Sequence, residues 1–343
     1  MPNITRLSDT FSPTEITASM VTGDYASVGQ RVYEVVRLTG AEAANAGWGY
    51  TESNGELTIT EVPTLTEPTH VRIPDFIDGK PVKHLAAATG EGTMFRIYNV
   101  LSATSLMVET VGNHTFYVSF DLTAVDFPRL VSAGDLAFGS VSGGLESVYM
   151  PSLVSGGEGM FQYQTFVNIS LPSLTTAGVD MFLGCGALEN VDLPNLVTAG
   201  NRAFGICTGL KELNLPSLTT TGSGVFSRCD LLETVRLPRW ESSGDWSFFD
   251  SPALKEVYLG PHFKPTGSEH FDVLTGSPPD SVIIFYPPGD TDYGEFWPDE
   301  TAVAPGASAQ RAEPDRNRWV GVINEGETLV RNGNTFVSGT PWL

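Results

Sequence analysis

A chain of 343 residues with 41% hydrophobic residues can bury a sizeable core, as one elongated body or as two to three ordinary domains. Its formal net charge is −21 with only 19 Lys plus Arg, which excludes nucleic acid and anionic membrane as natural partners, because affinity for phosphate comes chiefly from cationic side chains that release counterions. No segment approaches the ~20 consecutive apolar residues that span a bilayer, so no membrane insertion is expected. The acidity serves either the solubility of a large Gly- and Thr-rich surface or recognition of a basic partner or cation.

Residues 1–65 read as an N-terminal arm and cap. The opening Met1-Pro2-Asn3-Ile4-Thr5-Arg6-Leu7 has neither clustered positive charge nor an apolar run of signal-peptide length. The segments 31–38 and 55–62 alternate apolar with polar residues as half-buried strands do, and Thr39 to Asn45 suits one short helix. Residues 66–121 read as a first repeat-like strand interrupted by an insertion, in which 94–100 and 115–120 are expected to pair as a side hairpin around Gly112-Asn113.

Residues 122–260 repeat. Prolines fall at Pro128, Pro151, Pro172, Pro194, Pro216 and Pro238, with Gly260 in the seventh place, at gaps of 23, 21, 22, 22, 22 and 22 residues. Ten residues after each proline stands a phenylalanine (Phe138, Phe161, Phe182, Phe204, Phe226, Phe248), and six after it a glycine (Gly134, Gly157, Gly178, Gly200, Gly222, Gly244). One repeat of this length cannot bury its own apolar face, so successive turns must stack around a continuous core. The expected fold class is therefore a β-rich repeat solenoid. Beyond it, 261–300 read as a C-terminal cap with 282–287 as a closing strand, and 301–318 as an Ala-, Pro- and Gly-rich linker. Residues 319–343 read as a terminal hairpin turning at Asn332-Gly333, a pair that tolerates type I′ geometry.

The best-preserved turn is Cys185-x2-Leu188-x2-Val191-x-Leu193-Pro194-x-Leu196-x3-Gly200-x3-Phe204-x2-Cys207. It resembles the BspA-like leucine-rich-repeat family at Leu193-Pro194, Ala203-Phe204, Cys207 and Leu210, and again at Leu215-Pro216, Phe226, Cys229 and Leu232. Upstream, Val71 to Pro74 followed by Ile77 to Val82 is similar to that family's first repeat. The resemblance implies binding or adhesion and carries no catalytic residues.

No Gly-rich phosphate loop, HExxH or CxxC pattern occurs. The five histidines are scattered; His262 and His270 flank Glu269 but nothing places them on one face. Asp290 to Glu295 has oxygen ligands at alternate positions, yet lacks the distal Glu of an EF-hand and reads as a solvated turn. Cys185, Cys207 and Cys229 each sit 13 residues after a proline. This places them in parallel on consecutive turns as packing residues, where a tetrahedral metal site would need convergence. No cofactor, metal or catalytic residue is expected.

If Val191 and Leu193 point inward, their neighbours form two outward columns. The first is Ala124, Ser147, Asn168, Asn190, Glu212, Thr234, Glu256; the second is Asp126, Tyr149, Ser170, Asp192, Asn214, Arg236, Tyr258. Strands ~4.8 Å apart make this surface roughly 30 Å long over the repeats. The candidate ligand face consists of Tyr149, Asn168, Asn190, Asp192, Glu212, Asn214, Arg236, Glu256 and Tyr258, whose polar character suits a glycan or an extended polar peptide on a cell surface. The function expected is a non-enzymatic binding or structural protein. The first reading is a bacteriophage virion component, tail- or fibre-associated and made in the host cytoplasm, held by other subunits in a homo-oligomer or particle through 1–27 or the 327–338 hairpin. A bacterial cell-surface adhesin is the alternative, and a polysaccharide-acting enzyme the distant third.

Overall fold

The computed structural model describes residues 25–28, 31–88, 100–140 and 144–259, together with the strands Val282–Phe285, Trp319–Ile323, Thr328–Arg331 and Asn334–Val337. The chain winds as a parallel β-solenoid of about nine turns with very little helix. A regular turn contributes one front strand, such as Asn190–Asp192, and one short back strand, such as Thr198–Ala199. Front strands pair in parallel with front strands and back with back: Asn168↔Asn190, and Thr176↔Thr198↔Thr220. The back ladder is unbroken from Leu57 to Ser243, whereas the front strands hydrogen-bond in three groups, broken after Tyr149 and after Asp192.

The periodic residues fill the space between the two faces. Phe138, Phe161, Phe182, Phe204, Phe226 and Phe248 are fully buried and stack ring on ring, with neighbouring centroids 5.2–5.9 Å apart. The glycines answer a different constraint. A Cβ on Gly200 would lie 2.5 Å from the Val179 backbone nitrogen, and one on Gly178 would lie 2.5 Å from the Gly157 carbonyl oxygen. Adjacent turns approach too closely there for any side chain. Cys185, Cys207 and Cys229 are buried, and their thiols donate to the carbonyls of Phe161, Phe182 and Phe204 at 3.1, 3.2 and 3.2 Å. Ser251 continues the column by donating to the Phe226 carbonyl at 3.0 Å.

The expected insertion is corrected by the structure. Residues 115–120 form no strand; Phe116 stacks on Phe138 at 5.2 Å and begins the aromatic column. Val100–Thr104 is a front strand between Thr69–Arg72 and Ala124–Asp126, and Thr110–Val111 is its back strand. The segment is thus a full solenoid turn in which Leu106 stands where its neighbours carry proline. Gly112 and Phe116 keep the offsets of 6 and 10 residues, so the period continued through a turn that lacked its marker. Residues 94–99 of the expected hairpin lie outside the described residues.

At the N-terminal end, Gly49–Ser53 and Glu56–Glu61 form an antiparallel hairpin that joins the back ladder through Lys80–Leu85. Leu57, Ile59, Ala43 and Trp48 thereby continue the repeat core without interruption. The helix runs Gly40–Ala46, with Thr39 and Glu42 forming a capping box and Gly47 ending it at φ 87°. The expected strand over 31–38 is split. Arg31–Glu34 pairs antiparallel with Tyr25–Val28, while Arg37–Leu38 pairs in parallel with Phe76–Ile77. The break falls at Val36, whose N–H donates to the buried carboxylate of Asp75 at 2.9 Å and whose carbonyl accepts from the Asp75 N–H. At the other end, Val282–Phe285 and Trp319–Ile323 extend the front sheet in parallel, and Thr328–Arg331 pairs antiparallel with Asn334–Val337.

Candidate functional site

The front strands hold the two outward columns in register. Ala124 faces Ser147 and Asp126 faces Tyr149; Asn168 faces Asn190 and Ser170 faces Asp192; Thr234 faces Glu256 and Arg236 faces Tyr258. Val125, Ile169, Leu213, Val235 and Val257, middle residues of the front strands, are buried, and Val148 and Val191 are half-buried against the same core, as period-2 alternation requires. All nine candidate residues therefore stand on this one face. Asn168, Asn190, Asp192, Glu212 and Asn214 are exposed; Tyr149, Arg236, Glu256 and Tyr258 are half-buried. Upstream turns, absent from the sequence columns, add His70 with Ser102 and Arg72 with Thr104.

Side chains couple across the turns. The Asn190 amide donates to the Asn168 amide oxygen at 2.7 Å, and the Ser170 hydroxyl to the Asp192 carboxylate at 2.7 Å. The Arg236 guanidinium lies 4.8 Å from the Tyr258 ring centroid, and the Tyr258 hydroxyl donates to Glu256 at 3.2 Å. Burial, with the Glu256 charge second, pushes the Tyr258 hydroxyl up to about 12.

One contact on this face had no sequence signal. The Arg31–Glu34 strand lies against its N-terminal part: Arg31 pairs with Asp126 at 2.5 Å, and the Tyr33 hydroxyl donates to the other carboxylate oxygen at 2.7 Å. The Arg31 guanidinium also covers the Tyr149 ring, 3.8 Å from its centroid. Burial first, and the Asp126 charge second, hold the Tyr33 hydroxyl far above the ordinary tyrosine range. Tyr33 and Val35 pack with Leu106 and Met107 in a small separate core, and the Arg72 guanidinium fastens the strand by donating to the Glu34 carbonyl at 2.8 Å. Sequence position 31 is 95 residues from Asp126, so no local pattern could join them.

The back ladder is a second outward surface that sequence reading left out. Its outward residues run Thr110, Ser132, Ser155, Thr176, Thr198, Thr220 and Ser242, beside Val131, Val154 and Val197, which are exposed. Among the described residues, no group of three or more His, Cys, Asp or Glu is placed to hold a metal ion, and no helix is long and apolar enough to cross a membrane. His262, Glu269, His270 and the 290–295 turn lie outside the described residues.

The model of the BspA type leucine-rich repeat region matches in six copies over residues 98–199 and 175–275, more than half of the chain. The chain belongs to the BspA-type leucine-rich-repeat family. No curated protein matches it. Among solved structures, it is similar to a leucine-rich cell surface protein of Faecalibacterium prausnitzii at 15% identity and a TM-score of 0.40, covering 70% of this chain and 87% of that one. A leucine-rich repeat protein of Bacteroides ovatus matches at 20% identity and 0.35, covering 70% and 83%. The T. pallidum leucine-rich repeat protein matches at 22% and 0.30, covering 71% and 85%. In this BspA-type chain the family match begins at residue 98, within the turn that lacks its proline.

Proposed function

We propose that the chain is a non-enzymatic recognition protein that binds an extended polymer on a cell surface along its front face. The observation that carries this reading is the in-register double column of amides, carboxylates and tyrosines, displayed outward from turns whose interior is packed and hydrogen-bonded. Aromatic faces and charged forks on such a rigid frame supply binding energy at little ordering cost. The Thr328–Arg331 and Asn334–Val337 hairpin is proposed to contact other subunits.

The test compares alanine variants on the front face (Tyr149, Asn190, Asp192, Arg236, Tyr258) with Thr176→Ala and Thr220→Ala on the back ladder, in binding to bacterial cells and to glycan and protein arrays. Front-face variants should lose binding by about tenfold or more while back-ladder variants keep it, the pattern of a localised hot spot. Equal binding in both sets would overturn the reading. Mass-spectrometric inventories of bacterial envelopes and of bacteriophage particles decide which of the two displays the chain.

A further inference from the structure

The Arg31–Glu34 strand is itself held by the front face and shows what chemistry that face accepts. Arg31 and Tyr33 are alternate residues of an extended strand, so both side chains emerge on one side. Their donors converge on the two oxygens of Asp126, and the guanidinium lies over the Tyr149 ring on the next turn. Further along the same column Arg236 covers Tyr258. Two places on the face, one on each side of its middle turns, thus carry an arginine over a tyrosine.

Between these two places the strands Asn168–Ser170, Asn190–Asp192 and Glu212–Asn214 expose every outward residue. Asp192 and Glu212 form no ion pair among the described residues, whereas Asp126 beneath the Arg31–Glu34 strand has two donors. Lys211, just before the third strand, is the adjacent cation and is exposed; Glu189, before the second, adds a further carboxylate. Asp192 and Glu212 stand on consecutive turns whose front strands do not hydrogen-bond to each other, and by repeat position they are two residues apart along the strand direction, about 6.7 Å, the spacing of alternate residues of an extended chain.

We propose that the open middle of the front face binds an extended segment of a partner protein carrying arginines at alternate positions, seated on Asp192 and Glu212 as Arg31 is seated on Asp126 and Tyr149. The inference rests on the front face being the binding surface. Arginine is favoured over lysine because its planar fork matches a carboxylate and stacks on amide and aromatic planes.

The experiment uses the full chain and three acetylated hexapeptides in which serine alternates with arginine, lysine or glutamate, titrated by fluorescence anisotropy at 150 mM salt. The arginine peptide should bind at least about fivefold more tightly than the lysine peptide, and the glutamate peptide should not bind. Asp192→Asn with Glu212→Gln should weaken arginine-peptide binding about tenfold or more. Glu158→Gln with Glu241→Gln, which removes the same charge elsewhere, should leave it within about twofold. Arg31→Ala, which opens the Asp126 and Tyr149 position, should increase the number of peptides bound. Equal loss in both double variants, or equal binding of arginine and lysine peptides, would overturn the proposal. If the front-face alanine variants still lose binding to cells or glycans while the peptides show no preference, the recognition reading stands and this inference fails; if neither responds, both fall.

Discussion

Phe204 lies within the buried column of stacked rings. Its ring is fully buried between Phe182 at 5.2 Å and Phe226 at 5.9 Å, so removing it leaves a cavity that two fixed neighbours cannot close. Phe204→Ala should cost about 3–5 kcal/mol in a denaturant melt; a loss below about 1 kcal/mol would mean that the column is not continuous. The cysteines respond to pH instead. Burial pushes the Cys185 and Cys229 thiols up to about 12 from an ordinary value of 9.0, and drives Cys207 up as well. The folded state therefore keeps protons that the unfolded chain releases, and stability should fall as pH rises above the unfolded value, by about 1.4 kcal/mol per thiol per pH unit until the folded value is reached. Replacing all three with serine, the residue that fills the same place at Ser251, should flatten the profile between pH 9 and 10. Native thiol titration should find almost no reaction and unfolded protein three groups.

At the scale of the element, the back ladder is where spacing is enforced. Gly200→Ala places a methyl 2.5 Å from the Val179 nitrogen and 2.8 Å from the Gly178 carbonyl carbon, backbone atoms that no rotamer change can clear. The turns would have to part locally, at about 1–3 kcal/mol, the usual range for overpacking. A thermal melt within about 1 °C of wild type would show that the ladder can yield, because 1 kcal/mol in a chain of this size already moves the midpoint by a few degrees. The column of glycines was legible because an offset that recurs in every repeat leaves a trace in one sequence. The turn at Leu106 was not, because the proline that marked the other turns was missing and the β-branched residues around it mimicked a hairpin. The left-handed positions were equally hidden. Leu136, Asp180, Arg202 and Trp246 adopt positive φ at corresponding places where Gly159 and Gly224 do so without strain, and leucine, arginine and tryptophan, which ordinarily avoid that region, give no hint of it. The front columns were readable from period-2 alternation around Val191. Their partial occupation by Arg31 was not, since it depends on where a distant strand lies in space.

For the whole molecule, a solenoid whose turns contact only their neighbours has a stability set by each interface in series, with ends that depend on their caps. Here the cap is built into the core. Leu57 and Ile59 are buried against the first back strand, and Ala43 and Trp48 belong to the same continuous cluster as the repeats. Removing residues 1–65 would uncover Val82 and Leu85 on the Lys80–Leu85 strand and leave that strand without its parallel partner Glu56–Glu61. It would also strip Arg31 and Tyr33 from Asp126. Hydrogen exchange followed by mass spectrometry on the full and shortened chains should show protection lost first across 69–85, then 100–126, and decaying toward the turns around Phe204 and Phe226, which keep neighbours on both sides. The wet edge strand should also promote self-association, visible as increased mass in light scattering. A uniform loss of protection along the chain would mean that the solenoid unfolds as one cooperative block, and unchanged protection at 69–85 would show that the first turn stands without its cap.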